Sequence, residues 1–200
     1  MTPSALSLTT PRLRLSTPGP EMASRVVDYF VTNRTHLKRW EPPFPKSMFT
    51  NAFWEQRLKE NQKEYREGRS IRLILTRAED PEGPMIGSVN FTQIVRGALM
   101  GCGLGYSIDE DVQGQGLMTE ALSAAIEYVF DELKLHRIMA SYIPTNERSG
   151  KLLRRLNFQV EGYARDYLFI DGAWQDHVLA ALQTTHDVIP SDAKPGASTT

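Results

Sequence analysis

The 200-residue chain is poor in cysteine: Cys102 stands alone, which excludes an internal disulfide and any site built from several thiolates. Charge of one sign is equally scarce. The 23 Lys and Arg residues nearly cancel the 24 Asp and Glu, and a net charge of -1 provides no broad basic footprint for DNA, RNA or an anionic membrane. Any anion it binds must be held locally. No stretch approaches the ~18 consecutive apolar residues of a membrane span, and the opening MTPSALSLTTPRLRL lacks the basic flank and apolar run of a secretory signal. These absences set the expectations: cytoplasmic location, no membrane or DNA partner, no metal. Internal repeats are missing too.

What is there suffices for one domain of ordinary size. The final stretch, HDVIPSDAKPGASTT, is rich in Pro, Ser, Gly and Thr with little to bury, so the expected division is a domain at 1–185 and a flexible tail at 186–200. Leu13 and Leu15 alternate with arginine like a short strand. From Glu21 the apolar set Met22, Val26, Tyr29 and Phe30 recurs at helical spacing, and the prolines of HLKRWEPPFPKS then break the pattern. A charged helix is predicted at 51–67, strands at 70–76, 85–95 and 100–108, and a long helix from Leu117 to about Leu133. HRIMASYI reads as a strand and GKLLRRLNF as a short helix that Asn157 closes in the left-handed conformation. Two final strands flank Asp171-Gly172, a hairpin signal. The order gives an α+β class with a mixed, mostly antiparallel sheet of about seven strands and about four helices.

Two local features point to chemistry. Gly101, Gly103 and Gly105 are spaced by two in one predicted strand, so one face of it is bare. Next, DVQGQGLMTEAL places Gly114 and Gly116 just before the long helix. A dinucleotide fingerprint would need a third glycine where Thr119 stands, and a nucleoside-triphosphate loop would need a lysine that is absent. What remains is either a plain turn or a backbone cradle of amides at a helix N-terminus, where orphan donors and the macrodipole favour an anion.

Gln113-Gly114-Gln115-Gly116-Leu117-Met118 resembles the Q/R-x-x-G-x-G/A acyl-CoA loop of the GNAT N-acetyltransferases, and NERSGKLLRRLNF resembles that family's second signature. TPRLRL, NRTHLKRWEP, VRGALMGCGLGYSI, HRIMASYIPTNERSG and DYLFIDGAWQDHVL are similar to the RimJ-type alanine N-acetyltransferases, over residues 10–182. The resemblance implies the GNAT fold, with its sheet splayed in the middle. It implies acetyl-CoA as co-substrate and direct transfer to the α-amine of a protein beginning with Ala or a small residue, with a small-subunit ribosomal protein as the expected acceptor. Rival implications are a small-amine acetyltransferase acting on a polyamine, amino acid or aminoglycoside, and a silent acyl-CoA sensor or ribosome-assembly factor. Monomer and homodimer are both compatible with it.

By the same resemblance, the pantetheine arm lies along the backbone of Tyr106, Ser107 and Ile108 as an added strand, and the amides of Gln113, Gly114, Gln115, Gly116, Leu117, Met118 and Thr119 hold the pyrophosphate. Asn146 bonds the arm from the other side. Leu153 stands where many relatives carry a tyrosine that protonates the leaving thiolate, so that role passes to Ser149, which also borders the cofactor. Asp166 is the expected base, Asp176 lines the acceptor cleft on the last strands, and His136 and His177 are further titratable groups. Trp40 and Glu41 form a wall of the acceptor groove. An α-amine at pKa ~7.7–8.0 needs a much weaker base than a lysine at ~10.4.

Overall fold

The computed structural model describes residues 5–185, so the tail expected at 186–200 lies outside the described residues. Alternation builds the first strands: Leu13 and Leu15 are fully buried in β2 (Leu13–Ser16), which pairs antiparallel with β1 (Ser7–Thr9) and with β3 (Ile71–Arg77). Between them run α1 (Ala23–Thr32), a five-residue α2 (Arg34–Lys38) and α3 (Asn51–Arg66). Thr50 caps α3 by accepting from Phe53 N at 3.3 Å, which satisfies one of the helix's orphan donors.

The meander continues through β4 (Gly87–Val95) and β5 (Gly101–Ile108), followed by α4 (Leu117–Asp131), β6 (Arg137–Tyr142), α5 (Glu147–Arg155), β7 (Gln159–Ile170) and β8 (Ala173–Gln183). Eight strands form one sheet in the order β1-β2-β3-β4-β5-β6-β8-β7, every neighbour antiparallel except β5 against β6. The α+β class and mixed sheet are as the sequence predicts. The added strand, β1, has three residues, too few for a readable alternation, and α2 is likewise too short for a helical stripe. Among the described residues no helix is long and apolar enough to cross a membrane.

The sheet separates two cores. On one face α4 buries Leu117, Leu122 and Val129 against Leu73, Val89, Phe91, Cys102 and Ile138, and α5 adds Leu153. Each such side chain contributes about 1.5–3 kcal/mol on leaving water. On the other face α1 and α3 pack over Ile74 and Met85, with Phe30 stacked on Trp54 at 5.1 Å between ring centroids. Asn157 takes φ 65°, the left-handed closure expected after α5, and Asp171-Gly172 takes φ 49° and 82°, the pattern of a two-residue hairpin turn.

Candidate active site

Gly114 and Gly116 both lie in the left-handed region, with φ 76° and 77°. A β-carbon at Gly114 would meet nothing within 4 Å, and at Gly116 its nearest neighbour would be Arg12 Nη2 at 3.7 Å. Open space and left-handed φ together turn the backbone outward ahead of α4. Among the described residues, the amides of Gly114, Gln115 and Gly116 donate to no backbone carbonyl. Those of Leu117, Met118 and Thr119 are the unpaired donors of the helix's first turn.

Four arginines distant in sequence converge on this loop. Arg12 donates to the Gln115 carbonyl at 2.9 Å, Arg77 to Gln115 Oε1 at 3.5 Å, Arg155 to Thr119 Oγ1 at 3.3 Å, and Arg148 to Gln113 Oε1. Arg12 also grips Glu120 through Nε, and the Thr10 hydroxyl and the Arg12 amide bind the same carboxylate at 2.6 and 2.9 Å. Burial works against ionisation of Glu120, but these hydrogen bonds outweigh it and hold the carboxyl below its ordinary range. Gln113 Nε2 donates to His36 Nε2 at 2.7 Å, which leaves the His36 proton on Nδ1. Free amides ringed by guanidinium groups fit a diphosphate.

The gap beside the loop is a break in strand pairing. β5 and β6 pair only from Gly101–Leu104 against Arg137–Ala140; β5 then runs on to Ile108 while β6 stays with β8. Tyr106, Ser107 and Ile108 remain paired to Val89, Ser88 and Gly87 of β4, and their other edge opens to the gap. A β-carbon at Gly105 would meet nothing within 4 Å, so the strand presents bare backbone there. An amide-bearing arm can add to such an edge.

Across the gap stands α5. Asn146 caps it, accepting from Ser149 N at 3.2 Å, and Ser149 Oγ lies 2.7 Å from the Tyr106 hydroxyl. Burial pushes that tyrosine up to about 12. Leu153 is in the core, as its lack of a hydroxyl demands. Gly150 lets the helix sit close to the Tyr142 ring, since a β-carbon there would come 2.8 Å from it and oblige the ring to shift. The Tyr106 side chain was invisible in the sequence as a partner of Ser149, since 43 residues and a strand crossing separate them.

Opposite this pair, Tyr29 donates to Ser107 Oγ at 3.0 Å, and Ser107 is 3.1 Å from Ser88 Oγ. Trp40 is half-buried under the Arg39 guanidinium, 5.6 Å from the ring centroid, and stands in neither core. Glu41 is half-buried as well, and burial raises its carboxyl to about 7. A groove of about 300 Å³ lies between Pro42, Pro43 and Phe44 on one wall and Phe169 and Gly172 on the other, closed at the rim by a 3.2 Å ion pair of Lys38 with Asp171.

Asp166 and Asp176 are brought to each other on the last two strands. At the bulge between Ala164 and Leu168, Asp166 has φ 48° and its amide donates to Asp176 Oδ1 at 2.9 Å; Tyr163 donates to the other oxygen at 2.8 Å. Those two bonds hold the half-buried Asp176 carboxyl below its ordinary range and use it as a latch for the bulge. Asp166 itself is exposed on β7, the edge strand.

A family model described as an acetyltransferase (GNAT) domain matches residues 12–159. A curated relative from Escherichia coli (strain K12), named [Ribosomal protein uS5]-alanine N-acetyltransferase, is 46% identical over 183 residues, 92% of this chain and 93% of its own length. Among solved structures, a ribosomal-protein-S5-alanine acetyltransferase from Vibrio fischeri superposes with TM-score 0.85 at 35% identity, covering 95% of this chain and all of its own. RimJ of Mycobacterium smegmatis, solved with CoA-disulfide, gives TM-score 0.81 at 26% identity, with 92% and 88% covered.

Proposed function

The chain belongs to the GNAT acetyltransferase family, and from that membership we propose that it acetylates the N-terminal α-amine of a protein beginning with Ala or another small residue, in the cytoplasm. The acceptor we assign is a small-subunit ribosomal protein, by likeness to the E. coli relative over almost the full length of both chains. The observation that carries the reading is the outward-turned amide loop of Gly114 and Gly116 beside the opened edge of β5.

Acetyl-CoA supplies an activated acetyl group and a thiol leaving group; the chain supplies grip, alignment and proton traffic. Amides 114–119 and the surrounding arginines hold the diphosphate, the expected Gln113 amide being spent on the Glu110 carbonyl at 3.4 Å, and the free edge of Tyr106–Ile108 aligns the arm. Ser149 delivers a proton toward the leaving sulfur and recovers one from the Tyr106 hydroxyl, 2.7 Å away. Direct transfer is supported by Cys102, which is fully buried and whose thiol burial pushes up to about 12, far from a usable thiolate.

The test is a comparison of initial rates of thiol release on an Ala-initiated peptide, the same peptide blocked at its N-terminus, and spermidine. Turnover on the free peptide alone is expected. Preference for spermidine, or binding of coenzyme A with no turnover on any amine, overturns the assignment.

A further inference from the structure

Counted on from the last paired residues, two buried polar side chains fall at matching positions on the two sides of the opening. Leu104 pairs with Ala140, and Tyr142 pairs with Val178. Three residues beyond Leu104 is Ser107 on one arm; three beyond Ala140 is Ile143, whose place in register is opposite His177 on the other. Both lie on the sheet face that carries Gly103 and Gly105, because side chains alternate and Ser141, paired with Leu179, shares the parity. Among the described residues of β4 to β8, Ser107 and His177 are the buried polar ones, 9% and 3% exposed. Ser107 has its partners in Tyr29 and Ser88.

His177 is satisfied on one side only. Its Nδ1 lies 3.0 Å from the Gln175 carbonyl, and a carbonyl oxygen can only accept, so the ring proton sits on Nδ1. The lone pair is therefore on Nε2, for which no partner exists among the described residues. The ring is fixed against Tyr167, 5.3 Å between centroids. Such an imidazole, oriented by one nitrogen and open at the other, is the arrangement of a proton acceptor. The charged groups nearby are Asp176, its neighbour on the opposite strand face, and Arg165, which acts on Asp176 from β7. Asp176 is already occupied by Tyr163 and the Asp166 amide.

We propose that His177, and not Asp166, is the base of the reaction: its Nε2 takes the proton shed by the acceptor amine. This rests on the N-acetyltransferase reading above. The neutral amine nitrogen forms its bond to the acetyl carbon as the carbon–sulfur bond breaks. One proton leaves nitrogen for Nε2 and one reaches sulfur from Ser149. The imidazolium returns its proton through solvent to the Ser149–Tyr106 pair, so none is gained or lost.

The test is His177→Asn, whose amide N–H can keep the bond to the Gln175 carbonyl while the Nε2 lone pair is removed. The expected result is a kcat lower by about 100-fold on an Ala-initiated peptide, with coenzyme A affinity by calorimetry unchanged and the remaining rate rising steadily with pH. In the wild-type enzyme, the acid limb of kcat stays in place when the peptide is replaced by one of lower amine pKa. That second measurement, made also in Glu41→Gln so that the groove carboxyl raised to about 7 cannot supply the limb, decides the matter if His177→Asn fails to fold. A variant with near wild-type kcat, or an acid limb that follows the acceptor's pKa, overturns the assignment of His177 alone. A wild-type enzyme that acetylates no Ala-initiated peptide refutes the acceptor reading and takes this inference with it.

Discussion

The Tyr106 hydroxyl and Ser149 Oγ, contributed by β5 and α5, meet at 2.7 Å across the opening where β5 and β6 part. In the proposed mechanism the pair gives the leaving sulfur a donor and gives that donor a reserve. Ser149→Ala is expected to lower kcat by about 10²-fold and Tyr106→Phe by less, with coenzyme A affinity nearly unchanged in both. Because burial raises the tyrosine from 10.0 to about 12, its protonated form persists, and kcat shows no alkaline loss from this group below pH 10. Rates of thiol release against pH check both statements; a Ser149→Ala enzyme with full kcat removes the pair from the chemistry.

Gly116→Val forces a β-branched residue into φ 77°, at a conformational cost of about 1–2 kcal/mol. The expected signature is a coenzyme A Kd raised by tenfold or more, with a Tm lower by a few degrees. Titration calorimetry and thermal melts separate the two effects. Unaltered affinity in a folded variant contradicts the role given to the loop.

Arg12 and Glu120 form a pair in which the arginine is half exposed, so its direct contribution to stability is small, at most about 1 kcal/mol. Its larger expected effect is on acetyl-CoA binding, through the Gln115 carbonyl that it fixes at 2.9 Å. Arg12→Met is expected to raise KM for acetyl-CoA severalfold while sparing kcat. The Glu120 carboxyl is depressed in the folded state, so its stabilisation is present above the ordinary value of 4.5 and is lost as pH falls through the lower folded value. The Tm gap between wild type and Glu120→Gln should therefore close on acidification.

Glu41 has the opposite sign. Its folded carboxyl is raised from 4.5 to about 7, so the folded state is favoured below 4.5 and loses that advantage as pH rises through 7. Glu41→Gln should be more stable than wild type at pH 8, on the order of 1–2 kcal/mol after allowance for residual solvent, and no more stable at pH 4. Urea melts at the two pH values provide the comparison. An equal difference at both would locate the effect elsewhere.

Where side chains obey a local period, the fold could be read in advance. The stripe from Leu117 to Phe130, the left-handed Asn157, the Asp171-Gly172 turn and the bare glycine strand all follow from spacing and backbone preference. β1 and α2 escaped because three and five residues carry no period. At the site, the amide loop was legible because its glycines and the helix that follows are contiguous. The encounter of Tyr106 with Ser149, and the arginines drawn from β2's approach, β3 and α5, depend on contacts that no window along the chain contains. The Asp166–Asp176 latch depends on a bulge, which shifts register and redirects a carboxylate that simple alternation would assign differently.

The guanidinium groups around residues 113–119 arrive from distant parts of the chain, from Arg12 to Arg155. The proposed anion site is thus assembled only in the completed fold, and no early fragment of the polypeptide contains it. Coenzyme A should raise the Tm of the whole domain in one cooperative step, and a nascent chain still lacking α5 should pass through a coenzyme A column unretained. Retention on that column would therefore report a completed fold.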